Sequence, residues 1–248
     1  MFKFLKDSFN EGREEARQEA LKEERDSEQE REEILRRISA LPEVEVFGCS
    51  LAAPFRASAL QVWFTIFNKD REALDENVVP FPLFSFGSDD FLTAEQQEAL
   101  KKQFTQSFSV TDPEEVLLMV KEFLGYINLD LVSLEELDLS ENRRFPESEI
   151  VDIRLDAWLL SAAASLLTAG VQFEGVSKEK ALMVFAELLP VVREKYPNWS
   201  LFAKDFIAQE KRTKINGRRT QKRLERDVSY LTYKAGSPWV MFPLEEYQ

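Results

Sequence analysis

The stretch 147–169, ESEIVDIRLDAWLLSAAASLLTA, is apolar on nearly every face through its second half. A helix that is hydrophobic all round has to be enclosed by other helices, and its run of Ala and Ser lets neighbours come close. Its longest apolar run, 155–169, is interrupted by Asp156 and is too short to span a bilayer. The stretch therefore predicts a buried central helix, ending at Gly170, inside a multi-helix domain.

Further helices follow from periodicity and capping signals. In TDPEEVLLMVKEFLGYI (111–127), Asp112 is a candidate N-cap, Pro113 takes the first helical position, Glu114 and Glu115 sit at the positive end of the dipole, and Gly125 lies near the stop. TAEQQEALKKQF (93–104) opens with Thr93 and Gln96 in capping-box spacing. RASALQVWFTIFNKDREAL (56–74) carries Leu60, Trp63, Phe64 and Phe67 at three- and four-residue steps and reads as a buried helix. SKEKALMVFAELLPVVREKY (177–196) has Ser177 as its cap, with Pro190 expected to kink or split it. In NWSLFAKDFIAQEKR (198–212), Phe202 and Phe206 share a face and Trp199 stands beside it. EVEVFGCSLAAPF (43–55) alternates and then meets Gly48 and Pro54, a candidate short strand. VVPFPLFSFGSDDF (78–91) is too Pro-rich for a central strand and predicts an apolar loop over the core. The expected fold is mainly α, a compact domain of about seven to nine helices over 41–248 with at most a small β element. A charged helical extension, 1–40, precedes it.

That extension contains EGREEARQEALKEERDSEQEREEILRR (11–37), dense in Glu and Arg and poor in large apolar residues. Pairs such as Glu14/Arg17, Glu32/Arg36 and Glu33/Arg37 favour a solvated helix, which cannot build a core. Before it, Phe2, Leu5 and Phe9 fall on one face. They form either a hook with weak membrane-surface or partner contact through 2–9, or a terminal turn packed on the domain, or a disordered terminus.

Histidine does not occur in the 248 residues, and Cys49 is the one cysteine. These two facts remove the commonest general base, the usual partner of a nucleophilic Ser or Cys, every zinc site built from His and Cys, and any intramolecular disulfide. The acidic, leucine-spaced NLDLVSLEELDLSEN (128–142) lacks the spacing and the glycine of a calcium loop and reads as a solvated helix face. No metal or other cofactor is expected. The start of the chain has no secretory pattern, and with the single cysteine this places the protein in the cytoplasm.

Charge is segregated. The net charge is −13, yet KRTKINGRRTQKRLER (211–226) sets eight Lys and Arg against Glu225, a net of +7 that leaves −20 on the rest. Asn216-Gly217 signals a tight turn, so the segment predicts a helix end, a turn and a second helix with a basic exposed face. Arg212, Lys214, Arg218, Arg219, Lys222, Arg223 and Arg226 are the candidate partner-binding residues. A match of this face to the protein's own acidic helices is the internal alternative.

Read in order, four pieces of the C-terminal part resemble the bacterial family catalogued as domain of unknown function 1266, over roughly Phe108 to Leu244. FSVTDPEEVLLMVKEFL is similar to that family's opening helix. RLDAWLLSAAASLLTAGVQFEGVSKEKALMVF is similar to its Ala-Trp pair, Ala-rich helix and following helix. YPNWSLFAKDFI and GSPWVMFPL are similar to its Trp-x-x-Phe helix and its closing Ser-Pro-Trp. The chain departs from the family where Leu159, Leu160, Ser161 and Ala162 follow Trp158 in place of Asp and Arg, and where 211–226 is far more basic. The resemblance implies a mostly helical bacterial domain with Trp158, Trp199, Ser237, Pro238 and Trp239 as motif residues, and it supplies no activity. Ser237-Pro238 is expected to stop the helix ending near Ala235. Trp239 and Phe242 then dock backward onto the helices, with Pro243 keeping the strap out of helix or sheet.

Three function classes fit these observations. The first is a non-catalytic bacterial cytosolic interaction protein, of immunity type or an accessory to secretion or chaperoning, that binds a protein partner. The second is a carboxylate enzyme using Asp152 and Asp156, four apart on one helical face with Arg154 nearby. The third is a nucleic-acid binder through 211–226, which the −20 remainder opposes.

Overall fold

The computed structural model describes residues 28–29, 31–67, 79–86, 113–139, 155–173, 175–213 and 215–247, scattered positions between 93 and 102, and no side chains for 61–67. The chain divides into two units, Met1–Ala40 and Leu41–Gln248. In the first, Arg31–Ser39 is helical, and Arg36 pairs with Glu33 one turn back at 2.5 Å. An exposed pair of this kind contributes a few tenths of a kcal/mol, about 0.3–0.5.

The second unit is mainly α, built from α1 (Glu43–Phe67), α2 (Pro113–Gly125), α3 (Asp156–Gln172), α4 (Lys178–Lys195), α5 (Trp199–Thr213), α6 (Arg218–Tyr233) and the single turn α7 (Pro238–Met241). Single 3-10 turns cover Phe81–Leu83, Val132–Leu134 and Leu244–Glu246. No strand occurs among the described residues. The two least polar helices make the centre. α1 packs on α3, α4, α6 and α7, while α3 packs on α1, α2, α4 and α5. In α3, Ala157, Leu160, Ala163, Ala164 and Leu167 are all buried, as an all-round apolar helix requires.

The segment expected as a short strand belongs to α1, which runs through both supposed breaks. Neither residue is a breaker here, and each has its own reason. Gly48 is a close-approach site: a Cβ built there would lie 2.3 Å from the Phe185 ring, so glycine is what lets α4 sit on α1. Pro54 lacks the N–H that would bond the carbonyl of Ser50 one turn earlier. That carbonyl accepts instead from Trp239 Nε1, at 2.8 Å.

Gly170 likewise does not end α3, which continues to Gln172. A Cβ on it would meet Val116 of α2 at 2.9 Å and Val176 at 2.8 Å. α4 runs unbroken through Pro190. Ala186, whose carbonyl that proline leaves free, is solvent-exposed, so water can satisfy it.

The acidic leucine segment is not a helix face. After α2, Asn128 adopts a left-handed conformation (φ 57°), which asparagine tolerates better than most residues. The backbone closes there with Asn128 N–H to Gly125 O and Leu129 N–H to Leu124 O, both at 3.0 Å. Leu131 and Leu134 are buried, and the turn between them is pinned to the helices. Glu187 of α4 accepts from the backbone N–H groups of Val132 (2.7 Å) and Ser133 (2.9 Å). Lys180 donates to the Ser133 carbonyl, and Lys121 to the carbonyls of Leu137 (2.5 Å) and Glu135 (3.3 Å). Residues 79–86 form an apolar loop, held where Arg56 donates to the carbonyls of Pro82 and Ser85.

Candidate interaction surface

The described part of the chain offers little to a catalytic reading. Asp156 begins α3 and pairs with Lys195 at 2.5 Å; Asp152 and Arg154 lie outside the described residues. Among the described residues no cluster of three or more acidic or cysteine side chains is placed to hold a metal ion. The crevice between α5 and α6, lined in part by Phe206, Glu210, Gln221 and Leu224, has no room for a water molecule. The Cys49 thiol is buried, and burial pushes its pKa up to about 12, so it stays protonated at neutral pH.

The polar groups that are buried serve the fold. At the start of α3 the Trp158 N–H, one of the donors a helix cannot satisfy internally, donates to Gln209 Oε1 at 2.8 Å. The Trp158 indole donates to Glu210 Oε2 at 2.7 Å. Gln209 Nε2 reaches Asp205 at 2.7 Å, and the Tyr196 hydroxyl donates to the same carboxylate at 2.6 Å. Burial, then that bond, holds the Tyr196 hydroxyl well above its ordinary pKa. Asn216, in the turn after α5, donates to Glu210 Oε1 at 2.9 Å. The sequence places Trp158 at a helix start but names none of these partners. A signal existed: Gln209 and Glu210 continue the stripe of Phe202 and Phe206 by three- and four-residue steps, where a polar residue has to be buried with a partner.

The closing motif is a second structural cluster. Ser237, fully buried, caps α7 by accepting from Val240 N–H (3.2 Å) and donates to the Leu231 carbonyl of α6 (2.6 Å). Pro238 takes the first helical position. The strap is thus helical in part, as α7 and the 244–246 turn, where Pro243 was expected to exclude helix. Trp239 stacks on Trp199 with centroids 5.4 Å apart and rings 5° from parallel. Trp199 Nε1 donates to the Phe242 carbonyl at 2.9 Å, and Tyr247 meets Ser50 at 3.2 Å.

The basic segment has the expected form, with α5 ending at Thr213, a turn, and α6 starting at Arg218. Its cations divide into two sets. Lys211 pairs with Glu225 at 3.0 Å. Arg223 Nε donates to Ser58 of α1 at 3.0 Å. Arg226 pairs with the buried Asp227 at 3.0 Å. Burial raises the Asp227 pKa, an effect opposed by Arg226, Ser58 and Arg223. Of this set, Arg223 ties α6 to α1 and Lys211 ties α5 to α6, while the Arg226–Asp227 pair lies within α6. Arg212, Arg218, Arg219 and Lys222 are exposed and have no carboxylate within ion-pairing distance among the described residues; Lys214 lies outside them. Ile215, between α5 and α6 in sequence, is 63% exposed.

No family model, no curated protein and no solved structure matches this chain. The function is therefore argued from the site alone.

Proposed function

We propose that this chain is a non-catalytic bacterial cytosolic interaction protein that docks an acidic protein partner through the corner formed by the end of α5 and the start of α6. One observation carries the reading: Arg212, Arg218, Arg219 and Lys222, at the end of α5 and the start of α6, are exposed without an internal counter-charge among the described residues, with exposed Ile215 between the two helices in sequence, on a chain of net charge −13. Exposed cations beside an exposed apolar side chain supply the charged and apolar groups that a protein-docking patch combines. The −20 carried by the rest of the chain repels a long polyanion such as nucleic acid, and no aromatic residue interleaves with the cations to stack on bases. Roles of immunity type, or as an accessory to secretion or chaperoning, and the likeness to the domain 1266 family belong to this proposal.

The test is affinity capture from the native host with the wild type beside a variant carrying Arg218→Glu, Arg219→Glu and Lys222→Glu. An acidic protein should be retained by the wild type and lost by the variant, with slower association and weaker salt dependence. Retention of the same protein by both would defeat the reading. Retardation of generic duplex DNA by the wild type at physiological salt would favour nucleic acid instead.

A further inference from the structure

The same unit carries a second exposed apolar point, with the opposite charge around it. Val132 is 78% exposed at the tip of the turn that follows α2, and Met183 of α4 is 55% exposed. They are neighbours: Lys180 and Glu187, three residues before and four after Met183 on the same helix face, both bond the backbone of the 132–133 turn. Around this tip Asp130, Glu135 and Glu136 are exposed, with no cation at ion-pairing distance among the described residues. The nearby Lys121 and Lys180 direct their ammonium groups to backbone carbonyls. Val132 is not a loose loop residue. It is presented on a turn fixed by one carboxylate and two lysines, so little ordering would be required when something covers it.

We infer that a second copy of this chain is an occupant of the basic corner: the acidic tip (Val132, Met183, Asp130, Glu135, Glu136) of one copy docks on the basic corner (Arg212, Ile215, Arg218, Arg219, Lys222) of the next. The inference rests on the reading of that corner as a docking surface and names one acidic surface that fits it. Charge complementarity supports the choice. Three exposed carboxylates on one patch and four exposed cations on the other form no ion pair among the described residues, each patch carries an exposed apolar side chain, and no ion pair joins the two surfaces within one chain among those residues. The two patches differ, so the contact is heterologous: in a pair, one copy keeps its corner unused and the other keeps its tip. Such a contact adds copies head to tail rather than closing as a symmetric pair, unless rotation closes a ring. With small patches and net like charge, the association should be weak, rise with concentration and dissolve in salt.

Sedimentation velocity of the full chain across a concentration series, at low and high salt, tests this. The expected result is a mass that climbs above the 28.8 kDa of one chain at low salt and returns to it at high salt. Arg218→Glu/Arg219→Glu/Lys222→Glu should stay monomeric, and so should Asp130→Lys/Glu135→Lys/Glu136→Lys. An equimolar mixture of the two should associate again and grow beyond two chains, because the reversed corner of one also complements the reversed tip of the other; a mixture of the corresponding neutral Gln variants should stop at two chains, because each keeps one working patch. A chain carrying both reversals should associate again. The corresponding Gln substitutions, with far-ultraviolet circular dichroism on every variant, separate lost docking from lost folding. A wild type that stays monomeric up to millimolar concentration at low salt overturns the inference. So does an association that survives either reversal, or a mixture that fails to pair. These outcomes leave the acidic-partner reading to the capture experiment, where only the basic-corner variant should lose the partner.

Discussion

The strap at 237–247 and the basic corner at 212–222 lie close together in sequence, on either side of α6, and the structure uses them in opposite ways. In the strap, the polar atoms of Ser237, Trp239 and Tyr247 all find partners within the fold, and both tryptophan rings are buried face to face. In the corner, four cations and one isoleucine face water with no internal counterpart among the described residues. Residue type alone does not separate the two regions, since both mix large apolar with polar side chains. They differ in whether a complementary group waits inside the fold. Arg223 and Arg226 show this in the same run of basic residues: Ser58 and Asp227 are there to receive them, and they join the fold.

If this division is right, damage to the two regions should separate cleanly. The largest effect belongs to Trp239→Ala, expected to cost about 3–5 kcal/mol in chemical denaturation, the range for emptying a large aromatic site. A loss below about 1 kcal/mol, typical of exposed positions, would break the contrast. Next comes Trp239→Phe, which keeps most of the ring but orphans the Ser50 carbonyl, at a cost of about 1–3 kcal/mol. Pro54→Ala restores a backbone N–H to that carbonyl, so the double variant should recover part of the loss. A double-mutant cycle with no coupling would show that the indole bond and the proline are unrelated.

A pH experiment probes the seam between the regions. In the fold, burial raises the Asp227 pKa above its ordinary value of 3.8, so the folded chain holds that proton more tightly than the unfolded one. The stability this group provides is complete below its unfolded pKa and is lost as pH rises through the raised folded value. Asp227→Asn should therefore gain on the wild type as pH climbs from below 3.8 toward neutrality, measured as the difference in denaturation midpoint. A difference that is flat or shrinks with pH would show that Arg226, Ser58 and Arg223 dominate instead. The smallest effect is expected for Arg218→Glu/Arg219→Glu/Lys222→Glu, within about 0.5 kcal/mol of wild-type stability, as for exposed charges without partners. Cooperative unfolding lost in that variant would move these residues to the internal side of the comparison.

How much of this could be read in advance depended on whether the determining contact was local. The cap at Ser177 and the first-position Pro113 need only a few neighbouring residues, and α3 announced its burial through composition alone. The division of 211–226 into helix, turn and helix followed from Asn216-Gly217. The failures were long-range. Gly48 and Pro54 look like breakers because their compensations, Phe185 and Trp239, come from other parts of the chain. The leucines of 128–142 suggested a helix face because the groups that bend the backbone there, Glu187, Lys180 and Lys121, stand on α2 and α4. For the surfaces, net charge located the basic corner, but only the structure shows which cations are already engaged. The acidic tip had no sequence signal beyond its carboxylates.

The bond from Trp239 to the Ser50 carbonyl spans 189 residues, and that from Tyr247 to Ser50 spans 197. On the ribosome, at about 5–20 residues per second, α1 is made roughly ten to forty seconds before the residue that completes it. Throughout that interval the nascent chain holds an apolar helix with an open carbonyl at Ser50, and for the last forty residues of it Trp199 is present without its stacking partner. Closing so long a loop comes late and slowly in folding. Chains stalled before the strap should therefore be the ones that chaperones retain and proteases cut.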